Sequence, residues 1–564
     1  MKGRPSGLGG RRSFDDDDGV LENMDRNNMM EATHSRNKAN LRPVYPAIEV
    51  HKMNNVQSYL FIFLIWLISV ALFRAIFTIR NRTKLRLPPS PLALPIIGHL
   101  HLFRPTPYEA LQKLTDRYGP LIQIYLGSIP FVVVGSAEIA KQVLKTNDVS
   151  FSNRPLNTAI TYLTYNVADF AFAPYGTYWK FMKKLCMSEL LNGRMLELLL
   201  PIRQEEINKF LQMMLKKGEV GEAVDVGAEL LKLASSIIMR MAISKSCFNP
   251  EDDAHEVRKR VKESAKLSRK FNLSDYFWFC RKLDLQGFGK KLKEARDSFD
   301  TMIEEVIQEH EEERKKLKTK VAAKDILDVL LSISEDESSE VKITRDNIKA
   351  FLKDIFEGGT DTTAMTIEWA LKELTNNPRV MEKARKEIDS VIGKGRVVNE
   401  SDITILPYLQ AVVKETLRLH PAGPLMVRES SGNCSIGGYY IPAKTRMFIN
   451  VWALGRDPKY WDNPLEFQPE RFVMSDEGKS GKNDKKREID VRGQDYHLLP
   501  FGSGRRGCPA VSLALNVVQT SVAAMIQCFE WKQNPAVTIA TTTNPLICIP
   551  KPRLTPFPSF PSSP

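Results

Sequence analysis

The chain has 564 residues, 43% of them hydrophobic and 26% charged, with a formal net charge of +13. That balance supplies enough apolar mass for a large core and excludes a mainly disordered protein. The positive charge does not indicate a nucleic-acid partner, because Lys and Arg are interleaved with acids on amphipathic stretches such as Glu311-Glu312-Glu313-Arg314-Lys315-Lys316, the pattern of a solvated helix face.

Residues 1–53 are polar, contain the acidic run Asp15 to Asp18, and lack any apolar period that builds a core, so they are expected to be a disordered extension. Met53 directly precedes the next segment, and a genuine extension and a start at Met53 both stay open. No charge occurs from Asn54 to Phe73, and Tyr59 to Phe73 is apolar apart from Ser69. This approaches the roughly 20 residues needed to span a bilayer, which predicts a transmembrane anchor over 54–79. Arg74, Arg80, Arg82, Lys84 and Arg86 follow with no acid among them, placing the downstream chain in the cytosol. A secretory signal peptide fits less well, since the run is long for such a segment and no small-residue cleavage site follows. Residues 80–100 form a basic and proline-rich hinge. Pro88, Pro89, Pro91 and Pro95 rule out helix interior and favour a stiff extended segment, or a plain linker.

Residues 101–564 read as one domain, because no linker-like composition interrupts residues 100 to 470. Alternation in Leu121 to Leu126 and the β-branched run Val132 to Val134, split by Gly127 and Pro130, predict a short hairpin. Apolar residues at three and four spacing predict helices over 178–192, 201–216, 224–246, 287–316, 343–377, 378–392 and 407–420. The fold class is therefore mainly α with a small β component. Ser475 to Glu488 reads as a surface loop, and no internal repeat is found. The seven cysteines, at 186, 247, 280, 434, 508, 528 and 548, never fall in C-x-x-C spacing, so neither a disulfide framework nor a zinc site is indicated.

The chemistry concentrates in Pro500-Phe501-Gly502-Ser503-Gly504-Arg505-Arg506-Gly507-Cys508-Pro509, ahead of an apolar helical run from Ala510 to Cys528. Three glycines let the backbone approach a flat group. Cys508 is expected at the N-cap and Pro509 at the first helical position, where the helix N-terminus and the adjacent Arg505 and Arg506 favour a thiolate. A stabilised thiolate suits an iron ligand. The segment resembles the haem-binding signature of the cytochrome P450 superfamily, F-x-x-G-x-R-x-C-x-G, matching at Phe501, Gly504, Arg506 and Cys508 and departing at Ala510, where glycine is usual.

The resemblance gives other segments a meaning. In Phe356-Glu357-Gly358-Gly359-Thr360-Asp361-Thr362-Thr363, two glycines inside a helix cost roughly 1 kcal/mol each, and Thr362 can bond back to the carbonyl of residue 358, bending the helix and leaving a groove. By resemblance, Asp361 and Thr362 relay protons to iron-bound dioxygen. Glu415 and Arg418, with Arg471 of Pro469-Glu470-Arg471-Phe472, would form a buried structural charge network behind the haem. Trp179 and Lys183 match the family's W-x-x-x-R helix with lysine in place of arginine, and with Arg428 and Arg506 they are the implied propionate partners. Lys180, Lys184 and Arg505 are candidates for a basic face that meets an acidic reductase.

Phe170-Ala171-Phe172-Ala173-Pro174-Tyr175, Trp179 to Cys186 and Asp284 to Phe288 resemble plant enzymes of the flavonoid and isoflavonoid branch, with pterocarpan hydroxylases and flavone synthases nearest. The implied protein is a haem-thiolate monooxygenase carrying haem b, drawing NADPH electrons through a reductase, and held in the endoplasmic reticulum membrane by one span. It would hydroxylate or desaturate an aromatic polycyclic substrate in a pocket that includes Phe170, Phe172, Gly359 and Leu425. A reductase-independent haem-thiolate isomerase or dehydratase and a non-catalytic haem-binding membrane protein are the alternatives, and NADPH dependence separates them.

Overall fold

The computed structural model describes residues 56–66, 68–70, 72–73, 86–245, 254–281, 283–316, 323–473, 489–533 and 545–560. The expectations for residues 1–53, for the basic run before Arg86 and for the loop 475–488 lie outside them. The chain divides into two units, Met1–Ile68 and Ser69–Pro564. In the first, the described residues are helical from Val56, and Phe61, Ile62, Phe63 and Trp66 all expose at least half of their surface.

The second unit is mostly helical. Its principal helices are α1 (Thr177–Leu185), α2 (Leu200–Glu219), α3 (Val226–Ile243), α4 (Ala254–Ser268), α5 (Phe288–Lys316), α6 (Arg345–Asn376), α7 (Pro378–Val391), α8 (Pro407–Leu419) and α9 (Val511–Cys528). Their bounds follow from local chemistry. Pro378 and Pro407 sit at the first position of α7 and α8, where a missing N–H is harmless, and Thr344 closes a capping box with Asn347 ahead of α6. The helix predicted over 178–192 changes at Cys186, where the backbone widens into a π-turn through Leu190.

The sheet is larger than a hairpin. Strands Leu121–Leu126 and Ile129–Val134 pair antiparallel, and the second continues in parallel to Arg446–Asn450, which pairs antiparallel with Leu425–Glu429. Pro130, expected to split the hairpin, lies inside its strand, because the parallel ladder begins only at Phe131 and asks nothing of residue 130. The described part of the proline-rich hinge is tied to this sheet and to the separate hairpin of Cys434–Ile436 and Tyr439–Ile441: Gln123 N–H donates to Pro89 O at 2.7 Å and Tyr440 N–H to Arg86 O at 2.7 Å.

Helix α6 runs through the middle of the core beside α3 and α9. Phe351, Phe356, Ile367 and Leu371 are buried along α6. Helix α9 is long and apolar enough to cross a membrane, yet it is largely buried in this unit, so burial explains its composition. Close approach of α3 to α6 relies on Gly359, where a Cβ would lie 2.6 Å from Ile238 Cδ1.

Candidate active site

Residues 501–510 form a compact turn. Gly502 and Gly504 take φ of 73° and 70°, and a Cβ on Gly504 would sit 2.7 Å from both Asp148 Oδ1 and Leu144 O, so glycine is required there. Cys508 N–H donates to Phe501 O at 2.9 Å, and Gly507 N–H to Gly504 O at 3.0 Å. Helix α9 begins at Val511 with Ala510 as its N-cap, which corrects the expectation that Cys508 caps the helix and Pro509 opens it. The turn consumes the Cys508 amide, and the first helical bond goes from Ala514 N–H to Ala510 O.

Cys508 lies deep in the protein, but its side chain is accessible from an internal cavity of about 410 Å³. Burial pushes its thiol pKa up, opposed by the Ala510 amide and by the charges of Lys183 and Arg154. Arg505 and Arg506, expected to favour the thiolate, are aimed elsewhere. Arg505 pairs with Asp148 at 2.6 Å and donates to Tyr175 Oη at 3.0 Å, while Arg506 donates to the carbonyls of Ser152, Phe170, Ala171 and Ala173.

Helix α6 supplies another wall. Thr362 lines the cavity and its Oγ1 donates to Gly358 O at 2.7 Å, and Thr366 repeats the bond to Thr362 O at 2.8 Å. A Cβ on Gly358 would meet nothing within 4 Å, so this glycine leaves open space. Asp361 is not in the lining. Its Oδ2 pairs with Arg269, just past α4, at 2.8 Å, with both side chains well exposed.

Trp179 is buried against the cavity, stacks on Phe170 at 5.9 Å, lies 4.5 Å beneath the Arg506 guanidinium, and leaves its indole N–H without a partner. Lys183 does not reach the cavity and donates to Gly507 O at 3.2 Å. Arg428 does reach it, along with Arg506 and Arg154, a residue that the sequence reading missed because a lone arginine before Pro155 carries no periodic signal. Burial first, and then mutual repulsion with Arg154, lowers the pKa of both Arg428 and Arg506 to about 9. Of the pocket candidates, Phe170, Gly359 and Leu425 line the cavity, as does Phe501. Phe172 does not, and lies under the Arg154 guanidinium at 5.6 Å.

Away from the cavity, Glu415 and Arg418 form a fully buried bidentate pair at 2.6 and 2.7 Å. Arg418 also donates to the carbonyls of Gly455, Pro464 and Glu466, and Arg471 approaches Glu415 at 3.3 Å. Every polar atom of the pair therefore faces a partner, which is the condition under which such a burial is tolerated.

The family model described as Cytochrome P450 matches residues 88–557. The chain belongs to the cytochrome P450 family. Relatives from Glycine max agree over most of its length. Cytochrome P450 93A3 is 55% identical across 88% of this chain and 98% of the relative, and 3,9-dihydroxypterocarpan 6A-monooxygenase is 52% identical across 88% and 99%. Beta-amyrin 24-hydroxylase, from the same plant, is 47% identical across 90% and 100%. Among solved structures, a zebrafish cytochrome P450 with progesterone has a TM-score of 0.67 at 27% identity, covering 79% of this chain and 99% of that one. This P450 is thus an oxidoreductase of the monooxygenase class, which uses thiolate-ligated haem, O2 and NAD(P)H electrons delivered by a reductase. The isomerase and scaffold readings find no support.

The residues of this P450 fit that haem. Cys508 presents sulfur to the cavity, Gly358 leaves room, the Trp179 indole N–H has no partner, and three guanidiniums converge where an anionic group would relieve their repulsion.

Proposed function

We propose that this P450 hydroxylates or desaturates a flavonoid- or isoflavonoid-type polycyclic substrate in plant secondary metabolism. The observation that carries the reading is 52% identity, across 99% of its length, to a relative named as a pterocarpan monooxygenase. Aromatic walls agree with it, since the Phe170 and Phe351 rings both line the cavity, 6.4 Å apart. The hydroxylase named for beta-amyrin gives a second reading, a triterpenoid substrate.

Bound haem supplies dioxygen activation at a thiolate-held iron. Cys508 Sγ provides the sulfur. Arg428 and Arg154, with the donor capacity left on Arg506 and the free Trp179 N–H, hold the propionates, and Phe501 packs in the same cavity wall. Thr362 handles protons at Oγ1: rotating off the Gly358 carbonyl turns its O–H into the cavity, and Asp361, once released by Arg269, resupplies it from the solvent side. Glu415, Arg418 and Arg471 act only by holding the chain behind the site. The exposed apolar helix beginning at Val56 is the single span, seated in the endoplasmic reticulum membrane with the catalytic unit cytosolic.

The test is a screen of flavanones, isoflavones, pterocarpans and beta-amyrin in microsomes with reductase and NADPH, reading products by mass. A hydroxylated or desaturated flavonoid-type product supports the proposal, and turnover of beta-amyrin alone replaces it with the triterpenoid reading. Cys508→Ser abolishes the thiolate-specific absorption band of the reduced carbon monoxide complex. Thr362→Ala keeps that band but diverts NADPH into hydrogen peroxide.

A further inference from the structure

The cavity wall contains a carboxyl that the proton relay does not use. Asp354 stands on α6 one turn before Gly358, and it is the sole acid among the described lining residues. Its Oδ2 accepts two consecutive backbone N–H groups, from Phe170 at 2.8 Å and Ala171 at 2.9 Å. These are its hydrogen bonds among the described residues. Asp169, which is buried, accepts the next amide, Phe172 N–H, at 2.8 Å.

The carbonyl side of the same strap is held from the cysteine turn. Arg506 donates to Phe170 O, Ala171 O and Ala173 O. Residues 169–173 thus bridge α6 and the turn that carries Cys508, with N–H groups gripped on one flank and carbonyls on the other. The strap leaves a costly bend: Tyr165, Asn166 and Val167 take φ of 53°, 60° and 67°, the left-handed region that non-glycine residues avoid, a β-branched valine most of all. Such a run persists only where the surroundings over-determine it. The Phe170 ring, set by this backbone, reaches the cavity between Trp179 and Phe351.

A carboxyl in this position is expensive. Burial and the neighbouring Asp169 raise its pKa well above the ordinary carboxylate value, while the adjacent Lys353 is engaged by Glu357. Apolar packing would cover α6 at lower cost but could not hold two amides.

We propose that Asp354 is a positioning residue for substrate selection: by clamping residues 169–173 against Arg506 it fixes Phe170 in the cavity wall, and so decides which bulky ligands the cavity admits.

The test uses the full-length haem-loaded enzyme with two probes read by the haem absorption shift, imidazole and the bulkier 4-phenylimidazole, together with amide hydrogen exchange. In Asp354→Ala, peptides covering 166–175 should exchange about tenfold faster, 4-phenylimidazole should bind about tenfold more weakly, and imidazole should change by less than about twofold. Asp354→Glu, which keeps an acceptor, should recover part of both effects. If Asp354→Ala does not accumulate with haem, Asp354→Asn decides, with the same selective loss reduced to about threefold because a neutral oxygen still accepts the amides. Unchanged exchange of 166–175, or equal weakening of both probes, would overturn the proposal, the latter by marking a general structural role.

Discussion

Asp361 is held by Arg269 through a 2.8 Å ion pair between α6 and the residue just beyond α4, with 40% and 65% of the two side chains exposed. An exposed pair of this kind contributes about 0.2–1 kcal/mol, so it restrains Asp361 without being needed for the fold. Arg269→Ala should leave the melting temperature nearly unchanged and raise turnover by up to about twofold by removing that restraint. Asp361→Asn should lower turnover with the haem spectrum intact and enlarge the solvent deuterium isotope effect. Equal turnover in Arg269→Ala and wild type at low and high salt would show that the pair does not restrain the relay.

The two adjacent glycines of α6 predict opposite outcomes for one methyl group. At Gly359 the new Cβ would meet Ile238 Cδ1 at 2.6 Å, and overpacking of this sort costs about 1–3 kcal/mol. At Gly358 nothing lies within 4 Å, so alanine should gain up to about 1 kcal/mol of helix stability while intruding on the cavity. Thermal unfolding followed by loss of helical circular dichroism should therefore rank Gly358→Ala above wild type and Gly359→Ala below it. Ile238→Val should partly rescue the latter, and substrate affinity should fall in Gly358→Ala.

Removing one partner of the buried Glu415–Arg418 pair strands the other. Arg418→Ala should cost about 3–5 kcal/mol and prevent accumulation of haem-loaded protein, measured by the reduced carbon monoxide spectrum. Arg471→Ala should be milder, because Arg471 makes its longer 3.3 Å contact from the edge of the network. A fully loaded Arg418→Ala enzyme would contradict this account.

Glu304 on α5 supplies a pH signature. Hydrogen bonding to Arg345, backed by Lys349, lowers its pKa from 4.5 to about 2. A depressed acid contributes stability above its unfolded value and loses it as pH falls through the folded one, so the contribution is complete above about pH 4.5 and gone below about pH 2. Glu304→Gln should lower the melting temperature at pH 6, by an amount corresponding to on the order of 1 kcal/mol given partial exposure of the pair, and the difference should shrink as pH falls toward 3.

The sequence alone determined the helical character and the family, and it singled out Cys508 as the sulfur ligand proposed here. Those features are local: a 3.6-residue period, prolines at helix starts, and a ten-residue turn in which Gly504 has no substitute. The same locality made the Thr362 back-bond to Gly358 legible, since it spans only one helical turn. Asp354 left a faint trace, as an acid four residues before Gly358 on the same helical face.

Only the tertiary structure decided where the charges point. Arg505 and Arg506 adjoin Cys508 in sequence yet serve Asp148 and the carbonyls of residues 152 to 173, while Lys183 and Arg154, which lie far from Cys508 along the chain, provide the charge that acts on its sulfur. Phe170 enters the cavity and Phe172 does not, because the strap is gripped by α6 on one side and by Arg506 on the other. Long cationic side chains and irregular loops take their direction from distant hydrogen-bond partners, and chain closure brings those partners within reach only when the whole domain has packed.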